Sequence, residues 1–145
     1  MKIETRAGWT ILTVLVVVLA VTPAIRADEA TNEERAIAVA KEWLALVDGG
    51  DFAGSWETAA ELFRNAVPKE KWVGMAGGVR TPLGALVSRE VRSTTAATTL
   101  PGAPDGEYVV IEFDAVFENK ASAVETVTPM RDPDGAWRVS GYFIK

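Results

Sequence analysis

The stretch Glu107-Tyr108-Val109-Val110-Ile111-Glu112-Phe113-Asp114-Ala115-Val116-Phe117-Glu118 puts Val109, Ile111, Phe113, Ala115 and Phe117 on one side of an extended chain and Glu112 and Asp114 on the other. A period of two marks a strand with one buried face. Downstream, Asp132-Pro133-Asp134-Gly135 is a turn signal, with Pro and Asp central and Gly free to take positive φ. It separates a strand over Ser122–Arg131 from one over Trp137–Ile144. Upstream, Ala85–Thr99 is rich in Val and Thr and reads as one long or broken strand, joined to Glu107–Glu118 by the turn cluster Leu100–Gly106. Asn119-Lys120 makes the remaining turn. The second half is thus a four-stranded antiparallel meander.

The first half has a different period. Thr31 and Glu34 form a capping box, and Ala36, Ile37, Ala40, Trp43, Leu44 and Val47 follow at helical spacing until Gly49-Gly50. A helix over Asn32–Val47 is expected. Asp51 can cap a second, with Phe52, Trp56, Ala59, Leu62, Phe63 and Ala66 on one side. Pro68 suits the first turn of a third, whose face is Trp72, Val73, Ala76 and Val79. Three helices followed by four strands predict an α+β domain, with the helices packed on one face of the sheet.

The last hairpin sets the register. Pairing Asp132 with Ala136 across a Gly135 bulge places Thr128 opposite Ser140 and Thr126 opposite Tyr142. Val127, Trp137, Val139 and Phe143 then share the core face. The other face collects Glu112, Asp114, Thr126, Thr128, Arg138, Ser140 and Tyr142, edged by Val110, Val116, Val124, Met130 and Ile144. Three readings compete for that face: a solvated outer surface, a homodimer interface and a ligand-binding surface. A one-residue slip would scatter the set.

The N-terminus reads as a targeting segment. Lys2 and Arg6 precede an apolar run of 13 residues, Trp9–Val21. A membrane-crossing helix needs roughly 20 apolar residues, and a signal-peptide core about 7–15. Cleavage after Ala27 is expected, with Ala24 as second choice and a retained anchor as the alternative. Residues 28–145 are then one domain, periplasmic or secreted. Losing residues 1–27, which carry Lys2, Arg6 and Arg26 against Glu4, takes the net charge from −5 to −7. That acidity argues against nucleic acid and against anionic membrane surfaces.

The 145 residues include no Cys and no His. Disulfides, thiol nucleophiles, Cys/His zinc sites and imidazole general bases are excluded. Carboxylate chemistry is still open, and Asp114 with Tyr142 could supply a base and a donor on one face. Two acids at alternate strand positions are, however, the ordinary mark of exposure. Gly74–Gly78 lacks the Lys-Ser/Thr of a phosphate loop, and Asp132–Gly135 lacks the distal Glu of a calcium loop. Arg80 and Arg89 could meet an anion, though a pair of surface arginines is the commoner reading. Trp43, Trp56, Trp72 and Trp137 fall on apolar stripes and are expected in the core. No catalytic residue, cofactor or metal ligand is assigned.

The runs Trp43-Leu44-x-Leu46-Val47-Asp48-x-Gly50-Asp51-Phe52-x-x-Ser55-Trp56, Trp72, Arg80-x-Pro82-Leu83-Gly84, Leu100-Pro101-x-x-Pro104-x-Gly106-x-Tyr108, Glu125–Met130 and Gly135-x-Trp137–Ile144 together resemble the bacterial domain of unknown function 4019 family. The resemblance implies an exported bacterial protein with no assigned activity. The helices-then-meander order is also similar to a shortened cone of the nuclear-transport-factor-2-like (cystatin-like) kind. The resulting expectation is a non-enzymatic domain of the bacterial envelope that binds an envelope protein or assembles with itself through its sheet. The alternative is a small-molecule or enzymatic pocket between helices and sheet.

Overall fold

The computed structural model describes residues 30–145. The segment read as a signal, with its cleavage position, lies outside the described residues. Four helices come first: α1 (Asn32–Asp48), α2 (Phe52–Glu57), α3 (Glu61–Ala66) and α4 (Lys69–Arg80), followed by a 3-10 turn over Thr81–Leu83. Then come β1 (Leu86–Ala97), β2 (Tyr108–Phe117), β3 (Lys120–Arg131) and β4 (Trp137–Ile144), paired antiparallel in the order β1-β2-β3-β4. The α+β class and the meander are as the sequence predicts. No described helix is long and apolar enough to cross a membrane.

Thr31 caps α1 as expected: its hydroxyl accepts from the Glu34 N–H, and the Glu34 carboxylate accepts from the Thr31 N–H. The second predicted helix is instead two short ones. The break falls at Thr58-Ala59-Ala60, where the Ala60 N–H leaves the helix to donate to the Val139 carbonyl of edge strand β4, at 2.8 Å. Ala59 and Ala60 are both fully buried. A larger side chain would hold the helix away from that edge. Tertiary pairing has overridden helical continuity.

The helices bury Ala36, Ala40, Trp43, Leu44 and Val47 of α1 against Val109, Ile111, Phe113, Val127 and Val139 of the sheet. Fully burying a side chain of Val, Leu or Phe size is worth about 1.5–3 kcal/mol each, so this layer is the main source of cohesion. A smaller core forms where Leu100 and Ala103 of the β1–β2 loop fold onto Tyr108 and Met130. The Tyr108 hydroxyl anchors that loop by donating to the Pro104 carbonyl at 2.5 Å.

The register of the last hairpin departs from the prediction. The turn is as expected: Gly135 has φ +84°, and the Asp132 N–H donates to the Ala136 carbonyl. Pro129 pairs with Val139, but Thr128 pairs with Gly141 rather than Ser140. Ser140 is an extra residue on β4, and its hydroxyl donates to the Thr128 carbonyl at 2.7 Å. Pro129 has no N–H to give the ladder, and bulges are where strands tolerate proline. Beyond the bulge every side chain changes face. Tyr142 and Ile144 therefore join the core face, opposite Val127 and Glu125, and Phe143 turns outward opposite Thr126.

A buried arginine–carboxylate centre

The bulge aims Tyr142 at Glu125. The Tyr142 hydroxyl donates to Glu125 Oε1 at 2.6 Å. Glu125 occupies a core position of β3, beside Phe113 of β2, and is wholly buried, at 0% exposure. A carboxylate there needs paired charge. Arg89 supplies it from β1, its Nε donating to Glu125 Oε2 at 2.6 Å. The residues across from Arg89 are Ala115 and then Ala123. Those small side chains leave room for the long arginine to lie along the sheet.

Asp48, the last residue of α1, extends the cluster. Arg89 grips it with two nitrogens, at 2.7 and 2.9 Å, a fork geometry that lysine cannot reproduce. Arg80, the last residue of α4, donates to Asp48 at 2.6 Å and lies 3.5 Å from Glu125 and 3.4 Å from the Tyr142 hydroxyl. Arg80 is only 5% exposed. Its guanidinium carbon sits 4.7 Å from the Phe117 ring centroid, and its Nε is buried with no hydrogen-bond partner. Two cations face two anions.

Titration follows from this geometry. Burial works to raise the Asp48 carboxyl, but hydrogen bonds from Arg89 and Arg80 outweigh it and hold the group below the usual aspartate range. Burial works against the charge on Arg89, and its bonds to Asp48 and Glu125 more than compensate. Burial and the neighbouring Glu125 charge push the Tyr142 phenol well up, so it stays a neutral donor. The aromatic wall is Tyr142 with Trp43 at 5.3 Å and Trp72 at 6.3 Å between ring centroids. Both indoles are tied to Ser55, Trp43 Nε1 to its carbonyl and Trp72 Nε1 to its hydroxyl. At the surface beside Asp48 and Arg80 lies a cleft of about 240 Å³, walled also by Phe52, Gly50 and Gly84.

A family model described as "Protein of unknown function (DUF4019)" matches residues 39–142. The chain belongs to the DUF4019 family. The matched span reaches from the middle of α1 to Tyr142, and so contains all five members of the DUF4019 chain's buried centre. No curated protein matches the chain.

Of the face predicted from the sequence, Glu112, Asp114, Thr126, Thr128 and Arg138 do lie on the outer side of the sheet of this DUF4019 domain. Ser93 and Glu112, Glu112 and Thr126, and Thr126 and Phe143 form one cross-strand row there. Ser140 is the bulge itself. Tyr142 is not on that face, so the pairing of Asp114 with Tyr142 is corrected: Asp114 lies 3.6 Å from Arg92 instead, and Tyr142 meets Glu125. Arg80 and Arg89 are not surface arginines, because both are drawn inward by carboxylates. The four tryptophans described pack with the core as expected. Glu125 and Asp48 stand in the family runs but were not read as site residues from the sequence. The signal for Glu125 is a charged residue in core register between Ala123 and Val127, visible once β3 is aligned.

Proposed function

We propose that this DUF4019 protein is a non-enzymatic domain of the bacterial envelope, exported with loss of residues 1–27, that binds an envelope partner or a second copy of itself. One observation carries the reading. The buried charges of Asp48, Arg80, Arg89 and Glu125 are mutually paired, while large apolar side chains stay at the surface. Phe143 is 61% exposed, Met75 53% and Val79 48%. They line one apolar groove between α4 and β4, floored by Trp72 and Tyr142, and exposed apolar groups gathered in this way mark association surfaces. The order of helices before sheet also supports a shortened nuclear-transport-factor-2-like cone as the architectural kin.

Two measurements test the proposal. Mass spectrometry of the protein recovered from a bacterial envelope fraction should show a chain beginning at Asp28. An intact chain confined to the cytoplasm would overturn export. Sedimentation at rising concentration should show self-association that Phe143→Glu removes. A strict monomer whose binding ignores Phe143→Glu would overturn assembly through this surface. The second reading, a small-molecule or enzymatic site, draws support from the cleft at Asp48 and Arg80. Thermal stabilisation by a small ligand, lost in Asp48→Asn, would favour it.

A further inference from the structure

The groove between α4 and β4 has an open strand edge along one side. Lys145 and Val124 exchange both backbone hydrogen bonds, at 2.9 and 3.1 Å, and hydrogen-bonded pairs alternate along an antiparallel ladder. Phe143 and Gly141 therefore turn their N–H and carbonyl groups toward β3, opposite Thr126 and Thr128. Tyr142 and Ile144 turn theirs away from the sheet. β4 is an outermost strand, and its free side receives the Ala60 N–H at Val139. Among the described residues nothing pairs with the backbone of Tyr142 or Ile144 on that side.

The side chains along this edge are apolar. Phe143 is exposed on β4, and Met75 and Val79 are exposed across the groove on α4. Gly74 and Gly78 are exposed beside them on the helix, with nothing within 4 Å of their Cβ positions. Such glycines cost a helix about 1 kcal/mol each relative to alanine, and they let another backbone come close. Phe143, Met75 and Val79 together leave on the order of 300 Å² of apolar surface uncovered. Two copies would cover about 600 Å² with these side chains alone, about half of what a specific interface needs. The strand edge, Ile144 and the glycines supply further area, as suits a reversible dimer.

We infer that the groove takes a second copy of this chain, added edge to edge through β4 about a two-fold axis at Phe143. Two four-stranded sheets then become one. The free backbone groups set the register. Pairing Tyr142 with the partner's Ile144, and Ile144 with the partner's Tyr142, gives every free N–H a free carbonyl. An axis at Tyr142 would instead set Ile144 against the bulge at Ser140. The two Phe143 side chains meet as a non-hydrogen-bonded cross-strand pair, the closer kind. Charge favours the same surface. The chain carries −5, so copies repel where their acids meet. Gly74–Val79 and Gly141–Ile144 contain no charged residue, so two copies can touch there without opposing like charges. Another protein's strand could use the same backbone groups, but a second copy also brings the facing Phe143 and α4. The inference rests on the reading of the chain as a domain that assembles through this groove, and adds which edges meet.

A chain without cysteine makes the test direct. Phe143→Cys sets two thiols across the axis, where the Cα atoms of a non-hydrogen-bonded pair lie about 4.5 Å apart, within the roughly 4.4–6.8 Å that a disulfide spans. Mild oxidation of the purified protein should give a disulfide-linked dimer. Val87→Cys, on exposed Val87 of β1, should stay monomeric. Melts of both variants under reducing conditions, matching the parent, confirm that each is folded. In the parent, NMR hydrogen exchange at the Tyr142 and Ile144 amides should slow about tenfold when about 90% of chains are paired. The Gly141 and Phe143 amides, already bonded to β3, set the baseline. Equal cross-linking by both variants, or exchange at Tyr142 and Ile144 that ignores concentration, would overturn the inference. If Phe143→Glu removes self-association while those two amides stay unchanged, assembly through the groove stands and only the edge pairing falls. A strict monomer at every concentration overturns the edge pairing and self-assembly together, leaving an envelope partner as the occupant.

Discussion

Tyr142 donates its hydroxyl to Glu125 across a register step made by Ser140, and that one step exchanges the places of Tyr142 and Phe143. Tyr142 is thereby an internal polar residue and Phe143 an external apolar one. Substitution should reveal the exchange. Tyr142→Phe removes a donor from a fully buried carboxylate and should cost about 1–3 kcal/mol in chemical denaturation. Phe143→Ser should stay within about 0.5 kcal/mol of the parent, as exposed positions do.

Glu125 is the member that the others cannot spare. Its truncation to Ala leaves Arg89 and Arg80 facing Asp48 alone inside the protein. A loss of about 3–5 kcal/mol is expected, as for other broken buried ion pairs. Glu125→Gln keeps the acceptor for Tyr142 and should lose less. Urea midpoints for the two variants, with unchanged slopes, would check the order.

The acid limb of stability should trace to Asp48. Its carboxyl is held below the ordinary value in the fold, so its contribution is fully present above the unfolded value of about 4. That contribution is lost as pH falls through the lower folded value. Asp48→Asn should already be weaker at neutral pH and should fall less steeply on acidification. Thermal melts across that window would show it.

Asp134 provides a purely local check. The Arg138 guanidinium, then the Ala136 N–H, bring its carboxyl down to about 2. Carbon-detected NMR titration should find that value, and Arg138→Ala should return it toward about 4.

Gly84 joins the helical half to the sheet at φ +72°, and a Cβ there would meet Glu118 Oε2 at 2.8 Å. That carboxylate accepts from the Ala85 N–H. Gly84→Ala should therefore destabilise by more than the roughly 1 kcal/mol that a compatible glycine-to-alanine change can gain. Gly74→Ala should not, because Gly74 is helical and nothing lies within 4 Å of its Cβ position. Paired denaturation curves separate the two.

The parts of this fold that local chemistry dictates could be read directly. The Thr31–Glu34 box, the alternation of Val109 to Phe117 and the Pro-Asp-Gly turn each carry their own instruction. What escaped depends on partners far along the chain. Helix two is broken because the Ala60 N–H finds Val139, a residue nearly eighty positions later. The outward face was read correctly up to Pro129, where a missing N–H admits an extra residue that no spacing rule announces. Arg80, Arg89, Asp48 and Glu125 look like ordinary surface charges one at a time, and only the assembled layers show them facing each other.

The pairing of the chain's first helix with its last strand also sets a timetable. Asp48 and Arg80 lie early, whereas Glu125 and Tyr142 come from β3 and β4. A chain emerging N-terminus first, from a ribosome or a translocation channel, presents its arginines long before their second carboxylate exists. Until Glu125 arrives, burying them is unfavourable, so the helical half has reason to stay open. Such long-range closure slows folding. Completion waits for the final strand, and the same charges that lock the finished domain keep the unfinished one pliable.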